Sequence, residues 1–106
     1  MTKVLNAFSF QMVGAAGHLE WETIPSEAAS QLLRKEGVDS YIGHVDTAAV
    51  VSNELDVEVP FARRFATLSP GERALIAQVK GGRLPEGATS LPEGMRVEFL
   101  LVSYDA

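Results

Sequence analysis

Ala74-Leu75-Ile76-Ala77-Gln78-Val79 is the run on which the fold turns. It is almost continuously apolar and sits between a tight turn, Ser69-Pro70-Gly71-Glu72, and a glycine-punctuated loop, Lys80-Gly81-Gly82-Arg83-Leu84-Pro85-Glu86-Gly87. A short apolar run bounded by turn residues reads as a strand buried on both faces, since a half-exposed strand would alternate. Gln78 is its one polar side chain, and a buried Gln there needs hydrogen-bonding partners or a ligand. A strand covered on both sides implies a sheet with layers packed against it.

Working outward, Met95 to Tyr104 reads as the final strand, apolar through Phe99-Leu100-Leu101-Val102. Upstream, Phe61 to Leu68 is a candidate strand carrying Arg63 and Arg64 on opposite faces, one to the surface and one inward. Val57, Val59 and Phe61 bracket Pro60, which places that proline at a strand start or edge. Near the N-terminus, Lys3 to Met12 reads as a strand with Ser9 and Gln11 on one face, and Leu19 to Ile24 alternates as a half-exposed second strand. Pro25-Ser26-Glu27 opens a helix with Ser26 as N-cap, an apolar face of Ala28, Ala29, Leu32 and Leu33, and Gly37 as its stop. The order β-β-α-α-β-β-β predicts an α/β fold: a compact single domain over residues 1–106, with a mixed, roughly five-stranded sheet and helices packed against it.

Composition narrows the function. The chain has 106 residues and no cysteine, so disulfides, thiol catalysis and thiolate metal sites are excluded. Its two histidines, His18 and His44, lie far apart in sequence and make a poor basis for a zinc or iron site, so neither a metal nor another cofactor is expected. Nine Lys and Arg against fourteen Asp and Glu give a net charge of −5, which argues against a DNA-coating protein but leaves room for one small phosphate-bearing ligand in a locally basic pocket. The start, Met1-Thr2-Lys3-Val4-Leu5, lacks the apolar core of a signal peptide, and no run approaches the roughly 20 apolar residues of a membrane span. No membrane partner is expected, and the cytoplasm is the expected location.

The functional reading centres on Ser40-Tyr41-Ile42-Gly43-His44-Val45-Asp46-Thr47-Ala48. Ala48, Val51 and Leu55 recur at helical spacing, so His44 falls at the mouth of a helix. Gly43 provides a sharp turn before it, and Asp46 or Thr47 is placed to cap its first donors. Unpaired backbone N–H groups at a helix start favour an anion. Further polar residues fall at the ends of the predicted elements: Asn6, Ser9, Gln11, Arg63, Gln78, Arg83 and Glu86. Singly each has a structural explanation; Asn6, Ser9 and Gln11 suit a solvated strand face, and Arg83 with Glu86 suits a surface ion pair worth at most about 1 kcal/mol. Together they offer arginine forks and hydroxyls for phosphate, and amides for nucleobase edges. A phosphodiester beside a 2′-hydroxyl can be cut without metal: the ribose oxygen attacks phosphorus, an acid protonates the departing 5′-oxygen, and a cation steadies the charge at phosphorus.

The stretches Leu5-Asn6-Ala7-Phe8-Ser9, Ile42-Gly43-His44, Gln78 and Arg83-Leu84-Pro85-Glu86-Gly87 resemble the viral anti-CRISPR ring nucleases over nearly the whole chain, from Lys3 to the final strand. The resemblance implies a homodimeric α/β protein that binds cyclic tetra-adenylate, the second messenger of type III CRISPR defence. It implies metal-free cleavage to linear adenylates ending in 2′,3′-cyclic phosphate, in the host cytoplasm for a virus-encoded protein. Carried over by position, His44 is the general acid, Arg63 steadies phosphate charge, and Glu86 is an acid/base or orienting group over the ligand. Asn6, Ser9 and Gln11 hold ribose and phosphate; Thr47, Gln78 and Arg83 complete the pocket, with the Arg83–Glu86 loop as a lid. Two positions depart from the family pattern. Asp46 stands where a small hydroxyl residue is usual, either capping the helix or facing away, and Lys80-Gly81-Gly82 is one residue longer than usual. The rival classes are a cyclic-nucleotide sponge that binds without cutting, a small interaction protein with no nucleotide role, and a DNA-binding regulator, which the acidic balance disfavours.

Overall fold

A computed structural model describes residues 1–106. Five strands and two helices follow one another along the chain: β1 (Thr2–Leu5), β2 (His18–Ile24), α1 (Ser26–Glu36), β3 (Val38–Ser40), α2 (Val45–Leu55), β4 (Arg73–Lys80) and β5 (Arg96–Asp105). They build one mixed sheet in the order β2-β5-β4-β1-β3. β1 runs parallel to both β3 and β4, whereas β5 pairs antiparallel with β4 and β2. The expected α/β class and five-stranded mixed sheet are therefore present.

β4 shows why its sequence is apolar throughout. Leu75 and Ala77 enter a core shared with Val4, Phe99, Ala29 and Leu33 of α1, and Ala48, Val51 and Leu55 of α2. Ala74 and Ile76 enter a second core on the opposite face, with Leu5, Val102 and Tyr104. That face is covered by chain rather than by helix: Ala66 and Leu68, from the segment between α2 and β4, complete it. Burying Leu75 or Ile76 contributes about 1.5–3 kcal/mol each by area.

Four local expectations are corrected. The first strand ends at Leu5 instead of Met12, because Ser9 starts a 3-10 turn over Phe10–Met12 by accepting the Gln11 N–H at 3.3 Å. Such side-chain bonds give the backbone an alternative to a sheet ladder. Residues 61–68 are irregular rather than a strand, and the Arg64 N–H turns back onto the Ala62 carbonyl at 3.0 Å. Only the Ala62 N–H to Ile42 and the Leu68 N–H to Met12, at 2.9 and 2.7 Å, anchor them to other segments through the backbone. Val38–Ser40 is a strand that the sequence reading passed over, being too short to show a period. The cap of α1 is Pro25 rather than Ser26, with no side-chain bond, while Gly37 does end it at φ 85°.

Two carboxylates pin the N-terminal ends of the parallel strands. Glu36 accepts from the Thr2 hydroxyl at 2.6 Å and from Arg73. Both contacts, the hydroxyl foremost, hold it below the usual carboxylate range. Glu72 accepts the Ser69 N–H at 2.7 Å and pairs with Lys3 at 3.2 Å, and the backbone donor leads in lowering it against the opposing pull of desolvation.

Candidate functional site

The C-terminal ends of the three parallel strands open onto the His44 region. Asn6 follows β1, Tyr41 to His44 follow β3, and Gly81 to Arg83 follow β4. In open α/β sheets this end of parallel strands is where ligands gather, since the connecting loops diverge there. His44 is the N-cap of α2 with extended backbone (φ −130°, ψ 126°), and its imidazole is exposed. No side chain caps the helix, so neither Asp46 nor Thr47 plays that part. Gly43 does not take a positive φ, and a Cβ added there would meet Arg63 Cγ at an ordinary 3.6 Å, so the turn does not demand glycine.

His44 stands between two clefts. One, of about 380 Å³, is lined by His44, Asp46, Thr47, Val79, Gly82, Arg83 and Leu84. The other, of about 210 Å³, is lined by residues that include Leu5, Asn6, Met12, Tyr41, Gly43, His44, Phe65 and both Arg63 and Arg64. Asn6 Oδ1 accepts the Gly43 N–H at 3.4 Å and so ties the end of β1 to the turn that presents His44. The adjacent arginines differ in their partners rather than in facing in or out, for both are exposed. Arg64 pairs with Asp39 at 2.6 Å, donates to the Ser40 carbonyl at 2.6 Å and lies over the Tyr41 ring at 4.1 Å. Its bond to Asp39 raises its already high pKa further. Arg63 has no ion-pair partner and neither does Arg83, so the surface pair expected between Arg83 and Glu86 does not form.

Of the nine sequence-derived candidates, His44, Arg63, Asn6, Thr47 and Arg83 are brought together. Four are not. Gln78 is exposed instead of buried, because the two-residue period of β4 puts it on the face opposite Val79, in an apolar hollow with Phe8, Phe10 and Trp21. Ser9 and Gln11 leave the site with the early end of β1, and neither lines either cleft. Glu86 is exposed in the loop after Arg83 and likewise lines neither cleft. One contact went unforeseen: Asp46 Oδ1 accepts the Gly87 N–H at 3.1 Å, so this carboxylate neither caps the helix nor faces away but holds the loop. An acidic residue in the first turn of a helix was the only signal for it, since Gly87 lies 41 residues away in sequence.

No three His, Asp or Glu side chains converge as a metal-ligating cluster. No helix is long and apolar enough to cross a membrane.

Comparison with known proteins agrees with this architecture. The family model for STIV B116-like proteins matches residues 2–104. Among solved structures, B116 of Sulfolobus turreted icosahedral virus matches with a TM-score of 0.79 at 21% identity, over 96% of this chain and 97% of that one. At that identity the likeness is one of fold. No curated protein sequence matches the chain.

Proposed function

The chain belongs to the STIV B116-like family, and from that footing we propose that it is a viral accessory protein acting as a ring nuclease. In this reading it binds cyclic tetra-adenylate and cuts it by transesterification. The carrying observation is the placing of one exposed imidazole at an uncapped helix start, between two clefts that each hold an arginine without a partner.

A phosphate at the start of α2 would meet backbone donors and the positive end of the helix dipole. Arg63 and Arg83 would approach it from the two sides. The 2′-oxygen of the preceding ribose attacks phosphorus while the bond from phosphorus to the 5′-oxygen breaks. Protonated His44 gives its proton to that departing oxygen, and the 2′-hydroxyl proton passes to Glu86 or to water. The products are a linear adenylate with a free 5′-hydroxyl and a 2′,3′-cyclic phosphate. Glu86 takes this role by turning its exposed side chain from the loop toward the bound ligand. A four-fold cyclic ligand presents equivalent halves to a two-fold homodimer, and such a dimer is part of the proposal.

Glu86 standing outside the clefts gives specific weight to one rival, a sponge that holds the ring uncut. Incubation with labelled cyclic tetra-adenylate in EDTA separates the two. Cleavage by the wild type, reduced at least about a hundredfold in His44→Ala, is the expected result for removal of a positioned acid. Intact ligand that stays bound to both proteins would establish the sponge instead.

A further inference from the structure

We propose that Asp46 is a positioning residue that latches the loop 81–95 onto α2 and so sets where Arg83 stands beside His44; its consequence for turnover rests on the ring-nuclease reading above. Lys80 pairs with Arg96, which makes residues 81–95 a hairpin connection far longer than the ordinary loop of about two to five residues. A connection of that length without secondary structure is commonly a binding loop or lid. Its base is pinched shut: a Cβ added at Gly81 would lie 2.5 Å from the Gly94 carbonyl oxygen and 3.0 Å from Met95 Cα. Gly81 also has φ 99°, so both the backbone and the space require glycine there.

Between its closed ends the loop has two ties to the helix. Asp46 Oδ1 accepts the Gly87 N–H at 3.1 Å, and Asn53 Nδ2 donates to the Thr89 carbonyl at 2.7 Å. Positions 46 and 53 are two helical turns apart and share one face, so the ties form a line along α2 over about 10.5 Å. Only the Asp46 tie falls in the same turn as His44, and Asp46, His44 and Arg83 line one cleft. The bond is also charge-assisted, the stronger kind. Arg83 has no ion pair of its own, so the loop it rides on determines its position.

The test compares wild type, Asp46→Ala and Asp46→Asn, the last keeping an acceptor oxygen of the same reach. Hydrogen exchange at the Gly87 amide is read in the free protein, and kcat is read on cyclic tetra-adenylate. Asp46→Ala is expected to speed Gly87 exchange about five- to tenfold, the equivalent of one solvent-exposed hydrogen bond. It should lower kcat by a similar factor, with Asp46→Asn, which keeps the acceptor but not the charge, falling between wild type and Asp46→Ala in both. Unchanged exchange in Asp46→Ala overturns the latch, and faster exchange with unchanged kcat overturns its positioning role. Should wild type leave the ring intact, the ring-nuclease reading alone fails, and the latch stands or falls on the exchange rates.

Discussion

At the N-terminal ends of β1 and β4 each charged side chain is spoken for: Glu36 takes Thr2 and Arg73, and Glu72 takes Ser69 and Lys3. At the C-terminal ends of the same strands, His44, Arg63 and Arg83 have no ion-pair partner, although Asp46 and Glu86 lie nearby in the chain. Both ends are rich in charge, so composition does not separate them. What separates them is whether fixed partners are built in. Charges that satisfy one another hold strand ends in place, whereas arginines left with water are available to an anion that brings its own oxygens. A protein with a net charge of −5 that keeps two arginines unpaired around one histidine has arranged a local exception to its own surface.

The largest effect that would break this comparison lies at the unpaired end. Arg63→Ala and Arg83→Ala should each slow cleavage of cyclic tetra-adenylate by about 10- to 100-fold, the equivalent of one or two charged hydrogen bonds to phosphate. Neither should shift stability by more than about 0.5 kcal/mol, because neither side chain supports the fold through an ion pair. Thermal melting beside single-turnover rates checks both halves. A fall in the melting temperature as large as that of a core variant would mean the arginines belong to the scaffold after all.

The paired end should respond in the opposite sense. Thr2→Ala removes a buried hydroxyl that bonds Glu36, so it should lower the melting temperature by a few degrees and leave cleavage intact. Acid acts on the same contacts. Glu36 and Glu72 both have pKa values below the ordinary 4.5, so their contribution is present above that value and lost as pH falls through the folded-state pKa. Urea midpoints measured downward from pH 5 should therefore fall more steeply for wild type than for Glu36→Gln, which has no such proton to gain. Parallel slopes would show that these carboxylates do not pin the strands.

How far the sequence foretold these two ends follows from the physics of each. β4 was legible because burial on both faces suppresses alternation, and α1 because Gly37 closes it at a positive φ. Residues 61–68 imitate a strand because Ala66 and Leu68 do point to one core, yet that segment packs over the sheet face instead of joining an edge. Parity also continues past Leu5 into Ser9 and Gln11, and nothing in the alternation records that Ser9 prefers its local bond. The geometry of the candidate site was legible where it depends on element ends, as with His44, Asn6 and Thr47. It was not legible where it depends on loop placement, as with Glu86, or on which face of β4 looks at the cleft, as with Gln78. The paired end escaped notice altogether, since Thr2, Glu36 and Arg73 meet only through the sheet.

The smallest expected effect sharpens the comparison within the loop itself. Asn53 holds the Thr89 carbonyl at 2.7 Å, a shorter bond than that of Asp46, and distance alone would rank it the more important tie. Position argues otherwise. Asn53 is exposed, carries no charge and sits two turns from His44, so its loss frees a stretch of loop beyond Gly87 while the Asp46 contact still fixes the limb that carries Arg83. A neutral bond with water ready to replace it contributes about 0.5–1.5 kcal/mol at most. Asn53→Ala should thus speed exchange in the outer loop and change kcat less than about twofold, since a retained Asp46 bond leaves the limb that carries Arg83 with most of its constraint. An effect on kcat equal to that of Asp46→Ala would mean the loop moves as one rigid body, and the distinction between its two ties would disappear.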